Sequence, residues 1–393
     1  MSDVIYKIRV NRPCRLFIDD EEIMLLDESK LTKINLCEGE YLRKVVAIDN
    51  SEIYDEKVIT LSGTSKLEDF YLDTTGLTEA KYNALYNNEV QIGDLFYKIS
   101  TNGTGVAVAK CANQELKEIA IPSQISFGHY LYDVVEVGEE AFEGCSSITS
   151  IILPCKVINI EAYAFKDCSS LVSIILPNSV ANVVSSAFYG TGIYNNAFNW
   201  IDGVLYISDC LICAKKDKSG IYKVIEGTRL IAATAFCDCS LLTMISIPNS
   251  VTNIGFSAFN GCSSLTAVSI STSITDIKAS TFYGCSSLTS VSIPNSVETI
   301  ECYAFAFCTS LASIYIPNSV TSIEDLAFSD CPSLNIIYCY AIIPPTIESF
   351  TFVDLIGDET RYGATICVPF DALADYKAHN YWKKFTNIQG IQK

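Results

Sequence analysis

The 393 residues are too many for one ordinary compact domain and allow two or three. Hydrophobic residues make up 49% of the chain and charged ones only 18%, which permits a continuous core and excludes general disorder. The formal net charge of -18 excludes a protein built to neutralise nucleic-acid phosphates or to rest a polybasic patch on an anionic membrane.

In chain order, the opening "MSDVIYKIRVNRP" has no basic stretch followed by an apolar one, so it reads as a mature or cytoplasmic start. No uninterrupted apolar run reaches the roughly 18 residues of a membrane span. Residues 1–72 alternate in short runs such as "YKIRV", "CRLFID", "EIMLL", "KINL" and "KVITL", separated by charged turns such as "DDEE" and "CEGE". Six or seven short strands at close spacing predict a small antiparallel β-sandwich over residues 1–75. The stretch "V-x-x-P-C-x-L-F-I-D-D" from Val10 resembles PEGA-type modules, with Asp and Glu in place of some of their glycines. The resemblance implies a binding or spacer unit. "DTTGLTEAKYNALYNN" (73–88) predicts a linker with a helical turn, and "GDLFYKIS" with "GVAVAK" a capping hairpin.

A repeat then takes over. Phenylalanine recurs at Phe142, Phe165, Phe188, Phe236, Phe259, Phe282, Phe305 and Phe328, in steps of 23 except for one of 48. Cysteine follows three residues later at Cys145, Cys168, Cys239, Cys262, Cys285, Cys308 and Cys331, with Thr191 breaking the column. A fixed period of this size predicts a solenoid, whose coils bury their apolar faces only by stacking. One coil reads as a strand "LTSVSI", a stop at Pro294, a "PNS" turn, a second strand "VETI" pointing Val297 and Ile300 inward, and a helical or 3-10 segment "ECYAFAFC". The step of 48 is two periods plus two residues. It predicts a β-hairpin insertion near 196–216, with "GVLYI" and "CLICAK" as its strands.

The recurring "SIPNSVxxIxxxAFxxCSSLTS", from about Ile119 to Tyr340, resembles the BspA-like leucine-rich repeat family. The resemblance implies a right-handed leucine-rich repeat solenoid of β-strands and short helical segments. It also implies surface proteins, some bacterial, that adhere to partners. From about residue 341, "AIIPPTIESFTF", "TICVPF", a helix over 372–379, Trp382 and Phe385 predict a cap over the last coil's open end. The two expected domains are therefore 1–75 and 76–393.

Chemistry has few candidates. The chain holds 17 cysteines, but one small slot per coil predicts buried, inert thiols rather than disulfides or metal ligands. "CLIC" (Cys210–Cys213) and "CDC" (Cys237–Cys239) lack the second ligand pair of a zinc site. The two histidines, His129 and His379, sit in no catalytic motif, and Glu21–Glu22 and Glu324–Asp325 read as solvated loop charges. No cofactor or metal is expected, and no enzymatic activity. A hydrolase sited between the two domains is the least favoured reading.

What remains is the outward face of the first strand of each coil. Its positions run Ala120, Ile152, Ile175, Lys223, Ser246, Ser269, Ser292, Tyr315 and Tyr338. The middle is hydroxyl-rich and the ends carry aliphatic or aromatic residues, which suits binding of a protein or glycan. The bland alternative covers Ile152 and Ile175 with the amino-terminal region or the hairpin, and Tyr315 and Tyr338 with the cap. A spacer without a ligand is the rival function. The unpaired thiols and the opening residues point to the cytoplasm, and the resemblance points to the cell surface.

Overall fold

The computed structural model describes the strands between residues 3 and 67 by their backbone, and residues 89–127, 130–354, 359–360 and 363–391. The chain forms two compact units: residues 1–92 with 97–106 and 124–134, and residues 93–96, 107–123 and 135–393.

In the first unit the alternating runs form strands. Asp3–Ile8 pairs antiparallel with Thr32–Cys37 and parallel with Ser65–Leu67. Cys14–Ile18 lies between Glu21–Leu26 and Gly39–Ala47, and the last of these pairs with Tyr54–Leu61, all antiparallel. The side chains that would build a sandwich core, the carboxylates of Glu21 and Glu22, the expected linker 73–88 and His129 lie outside the described residues.

The second unit is a β-solenoid with a period of 23 residues. In one coil Ser290–Ser292 pairs parallel with Ser313–Ile316 of the next, and Thr299–Ile300 pairs with Ser322–Ile323. Between the strands the amide of Val297 donates to Pro294 O at 3.1 Å, closing the "PNSV" turn. Leu288, Val291, Ile293, Val297, Ile300, Ala304, Phe305 and Cys308 are all buried. Phenylalanine rings of successive coils stack with centroids 5.2 to 5.6 Å apart, from Phe142 to Phe188 and again from Phe236 to Phe352. Stacking at the coil spacing removes both faces of each ring from water, which neither strand could do alone.

The segment around each phenylalanine departs from the helical expectation. Residues 301–308 form turns, with Tyr303 and Phe307 in the left-handed region at φ 57° and 59°. The reason is where the amides go. Alternate amides leave the coil: Phe282 N donates to Ala304 O and Phe305 N to Ala327 O, both at 2.8 Å, while Ala304 N and Ala306 N reach back to Glu301 O and Tyr303 O, so no continuous helical ladder forms. A 3-10 turn, Ser185–Phe188, occurs in the coil that abuts the insertion. Neighbouring coils also fit each other residue by residue. A Cβ on Gly261 (φ +72°) would stand 2.6 Å from Asp238 Oδ1 of the preceding coil, so the Asp238 side chain would have to shift to admit any larger residue there.

Residues 192–214 interrupt the stack. Thr191 is buried and caps a single helical turn, Gly192–Asn195, accepting from Tyr194 N. Trp200–Ile201, Val204–Ile207 and Cys210–Ala214 then pair antiparallel in order. Cys210–Ala214 also pairs parallel with Leu230–Ile231, and Ala214 N donates to Ala235 O at 2.8 Å, the bond that Phe N makes elsewhere. The last strand of the excursion therefore serves as the wall of a coil.

At the carboxyl end, Ile336–Cys339, Thr365–Pro369 and Asn387–Ile391 extend one parallel sheet. The helix Leu373–Ala378 and the turn Trp382–Lys384 bring Trp382 and Phe385 onto Phe352, with centroids 5.9 and 5.3 Å away. Trp382 Nε1 donates to Pro345 O and Tyr376 Oη to Ala341 O, which satisfies the polar tips of these buried rings.

Candidate binding face

The first strands line up in register, so the outward residues form rows. Ala120 pairs with Ile152 and Ile152 with Ile175. Lys223 pairs with Ser246 and Ser246 with Ser269. Ser292 pairs with Tyr315 and Tyr315 with Tyr338. The face thus consists of three parallel sheets rather than one, with the insertion falling between Ile175 and Lys223.

Exposure differs along the rows. Ile152 and Ile175 are 66% and 77% exposed. Lys223, Ser269 and Ser292 are exposed, and Ser246 is half-buried. Tyr315 is 37% exposed and Tyr338 half-buried, and their rings stack at 4.6 Å with an angle of 5°. The cap aromatics Trp382 and Phe385 lie on the phenylalanine column, against Phe352. The face is also extended by exposed Ile221 and Met244 in the adjacent outward column.

The cysteine column does more than fill space. Cys168, Cys262, Cys285, Cys308 and Cys331 each direct Sγ–H at the phenylalanine carbonyl of the preceding coil, at 3.0 to 3.3 Å. Sequence spacing placed these residues, but their donor role depends on a carbonyl 26 residues upstream. Burial pushes the thiols of Cys168 and Cys285 up to about 12 and that of Cys239 to about 11, so they stay protonated at neutral pH. Cys210 is buried in its strand and Cys213 half-buried. Cys237 is half-buried beside Asp238. Among the described residues, no group of three His, Cys, Asp or Glu is placed to hold a metal ion.

The carboxylates read as loop charges have structural partners. Glu324 Oε2 accepts from Cys302 N at 3.0 Å and Asp325 Oδ1 from Phe350 N at 3.1 Å. Glu301 repeats the contact one coil earlier, accepting from Ala279 N at 2.8 Å. This corrects the solvated reading: the acids satisfy amides that the turns leave without an intracoil acceptor. His379 Nδ1 accepts from Tyr381 N at 3.3 Å, and burial with Lys383 nearby lowers its pKa. A cleft of about 60 Å³, lined by Thr252, Asn253, Thr275, Asp276 and Lys278 among others, has room for little beyond water. No helix of the described residues is long and apolar enough to cross a membrane.

Among solved structures, the chain is similar to a leucine rich cell surface protein from Faecalibacterium prausnitzii, at 24% identity over 63% of this chain and 94% of that one, with a TM-score of 0.36. A leucine-rich repeat protein from Bacteroides ovatus matches at 23% identity over 77% and 99%, with a TM-score of 0.37. The pneumococcal vaccine antigen PcpA matches at 18% identity over 78% and 100%, with a TM-score of 0.43. No curated protein matches the chain. The BspA type leucine rich repeat region matches residues 135–211 and 229–353, in 6 copies that together span more than half of the sequence. With its stacked 23-residue coils and its phenylalanine and cysteine columns, the chain belongs to the BspA-type leucine-rich repeat family.

Proposed function

We propose that the chain is a non-enzymatic binding protein whose first-strand face engages a protein or a glycan, as in adhesion. The observation that carries this reading is the stacked Tyr315–Tyr338 pair beside a strip of short hydroxyl side chains. Tyr338 covers one side of the Tyr315 ring, while on the other side the register partner is Ser292, too short to cover it. An exposed ring edge and face held by a rigid ladder offer contact area with little rotamer entropy left to lose. Ser246, Ser269 and Ser292 supply hydroxyl donors and acceptors along the same row, which suits an extended polar ligand. Ile152 and Ile175 give the other end an apolar contact. The same reading takes residues 1–75 as a PEGA-like β-sandwich, residues 76–393 as a right-handed capped solenoid, and the surface of a cell as the place of action.

The test is binding of the full chain to panels of extracellular-matrix proteins and immobilised glycans. Tyr315→Ala with Tyr338→Ala should weaken the strongest interaction by about tenfold or more, with the melting temperature nearly unchanged. A large loss of stability would instead assign the rings to packing. A monodisperse chain with no partner on any panel would favour the spacer.

A further inference from the structure

Hydroxyl side chains beside the first-strand face and on it are used differently. Just before the strands, Thr266, Ser286, Thr309 and Ser333 each donate to a carbonyl of the preceding coil, at 2.7 to 3.3 Å. These hydroxyls are spent on stacking. On the strands, the hydroxyls of Ser269, Ser290, Ser292 and Ser313 make no hydrogen bond among the described residues. Ser269, Ser290 and Ser292 are exposed and Ser313 is half-buried. The five strands from Leu242–Ser246 to Ile336–Cys339 also hold no charged residue, in a chain whose net charge is -18. Within this neutral stretch the Tyr338 and Tyr315 rings stack at 4.6 Å and 5°. The next residue in register is Ser292. The ladder of rings therefore stops one step short, and the place of a third ring lies over an exposed serine. Ser290 and Ser313, themselves paired in register, flank that place.

We propose that this stretch binds an uncharged glycan, with one pyranose ring lying over Ser292 and parallel to the open face of Tyr315; the assignment rests on the binding-face reading above. A pyranose is apolar on its faces, where its C–H bonds lie, and polar around its rim. The slightly positive C–H hydrogens meet the negative face of the phenol ring. The rim hydroxyls meet Ser290, Ser292 and Ser313, each able to donate and accept. A proline or aromatic side chain of a protein would cover Tyr315 as well. It would also strip water from those three serines and return no hydrogen bond, which weighs against it. An acidic or sulfated sugar would find no cation on the five strands to offset the water it loses. Tyr338 and the strand ladder already hold the Tyr315 ring in place, so little freedom is lost when the sugar docks.

The test is calorimetric titration of the full chain with maltohexaose, cellohexaose, mannohexaose and chitohexaose. The expected result is binding of at least one of these neutral sugars, with an affinity that does not change between low and high salt. Tyr315→Ala should weaken it by about tenfold or more. Ser292→Tyr, which supplies the missing third ring, should block the place and weaken binding by about as much, with the melting temperature unchanged. Ser290→Ala with Ser292→Ala removes only hydroxyls and should also weaken binding in a folded chain. Binding of none of the four sugars, an affinity that falls as salt rises, or full affinity in Ser292→Tyr would overturn the proposal. If no sugar binds while an immobilised matrix protein is held and Tyr315→Ala releases it, the glycan assignment falls and the binding face stands. If neither is held, both fall.

Discussion

Phe282 and Cys285 stand three residues apart and hold their coil by different means. Phe282 is fully buried between Phe259 and Phe305, with centroids 5.4 and 5.2 Å away. Phe282→Ala should cost about 3–5 kcal/mol, because the stack on either side prevents the cavity from collapsing. Urea unfolding followed by circular dichroism measures it, and a negligible change would contradict the coil. Cys285 contributes a donor, Sγ to Phe259 O at 3.3 Å. Cys285→Ala leaves that carbonyl without the thiol and should cost about 1–3 kcal/mol by the same measurement. The phenylalanine column was legible in the sequence because aromatic bulk at a fixed period has one physical use. The thiol's direction was not, since its acceptor belongs to a different coil.

Among the elements, the strands and the Pro-Asn-Ser turns follow local rules, and alternation with Pro294 located them. The helical expectation failed because a segment such as residues 301–308 has helix-compatible composition but sends every other amide to the next coil. That choice is made by stacking, not by propensity. The outward positions Ile152, Ser292 and Tyr315 were legible from period two alone, whereas the division of their row into three sheets was not. The strand Cys210–Ala214 shows why: it belongs to a hairpin by sequence and to a coil by pairing. Arg229 fixes that junction, with Nε 3.0 Å from Asp209 Oδ2 and Nη1 2.5 Å from Val180 O. Arg229→Lys keeps the charge and loses the fork, so it should speed amide exchange over residues 204–214 without unfolding the cap. Unchanged exchange there would show that strand pairing alone holds the excursion.

For the whole solenoid, the thiol column sets a response to alkali. In the unfolded chain these thiols ionise near 9.0, while burial holds Cys168 and Cys285 up to about 12 and Cys239 up to about 11. Between those values the native state binds more protons, so stability is fully present below pH 9 and falls as pH rises through the native values. Denaturant midpoints should decline progressively above pH 9, and the decline should be shallower in Cys285→Val. A midpoint independent of pH across that interval would mean the thiols ionise in the fold as readily as in the unfolded chain.

The insertion carries one more consequence. Between the coils on its two sides the strands share one isolated bridge, Val184 to Ala233, with Arg229 Nη1 to Val180 O and Asn253 Nδ2 to Ala181 O beside it, and a second lapse of both strand ladders separates Asn253–Ile254 and Ala267–Ser269 from Asp276–Ile277 and Ser290–Ser292. An array whose cohesion is set by nearest-neighbour terms parts first at its weakest seam. Pulled from its ends or heated slowly, the solenoid should therefore part at these two seams into separate cooperative blocks, giving more than one force peak or a split calorimetric endotherm in place of one.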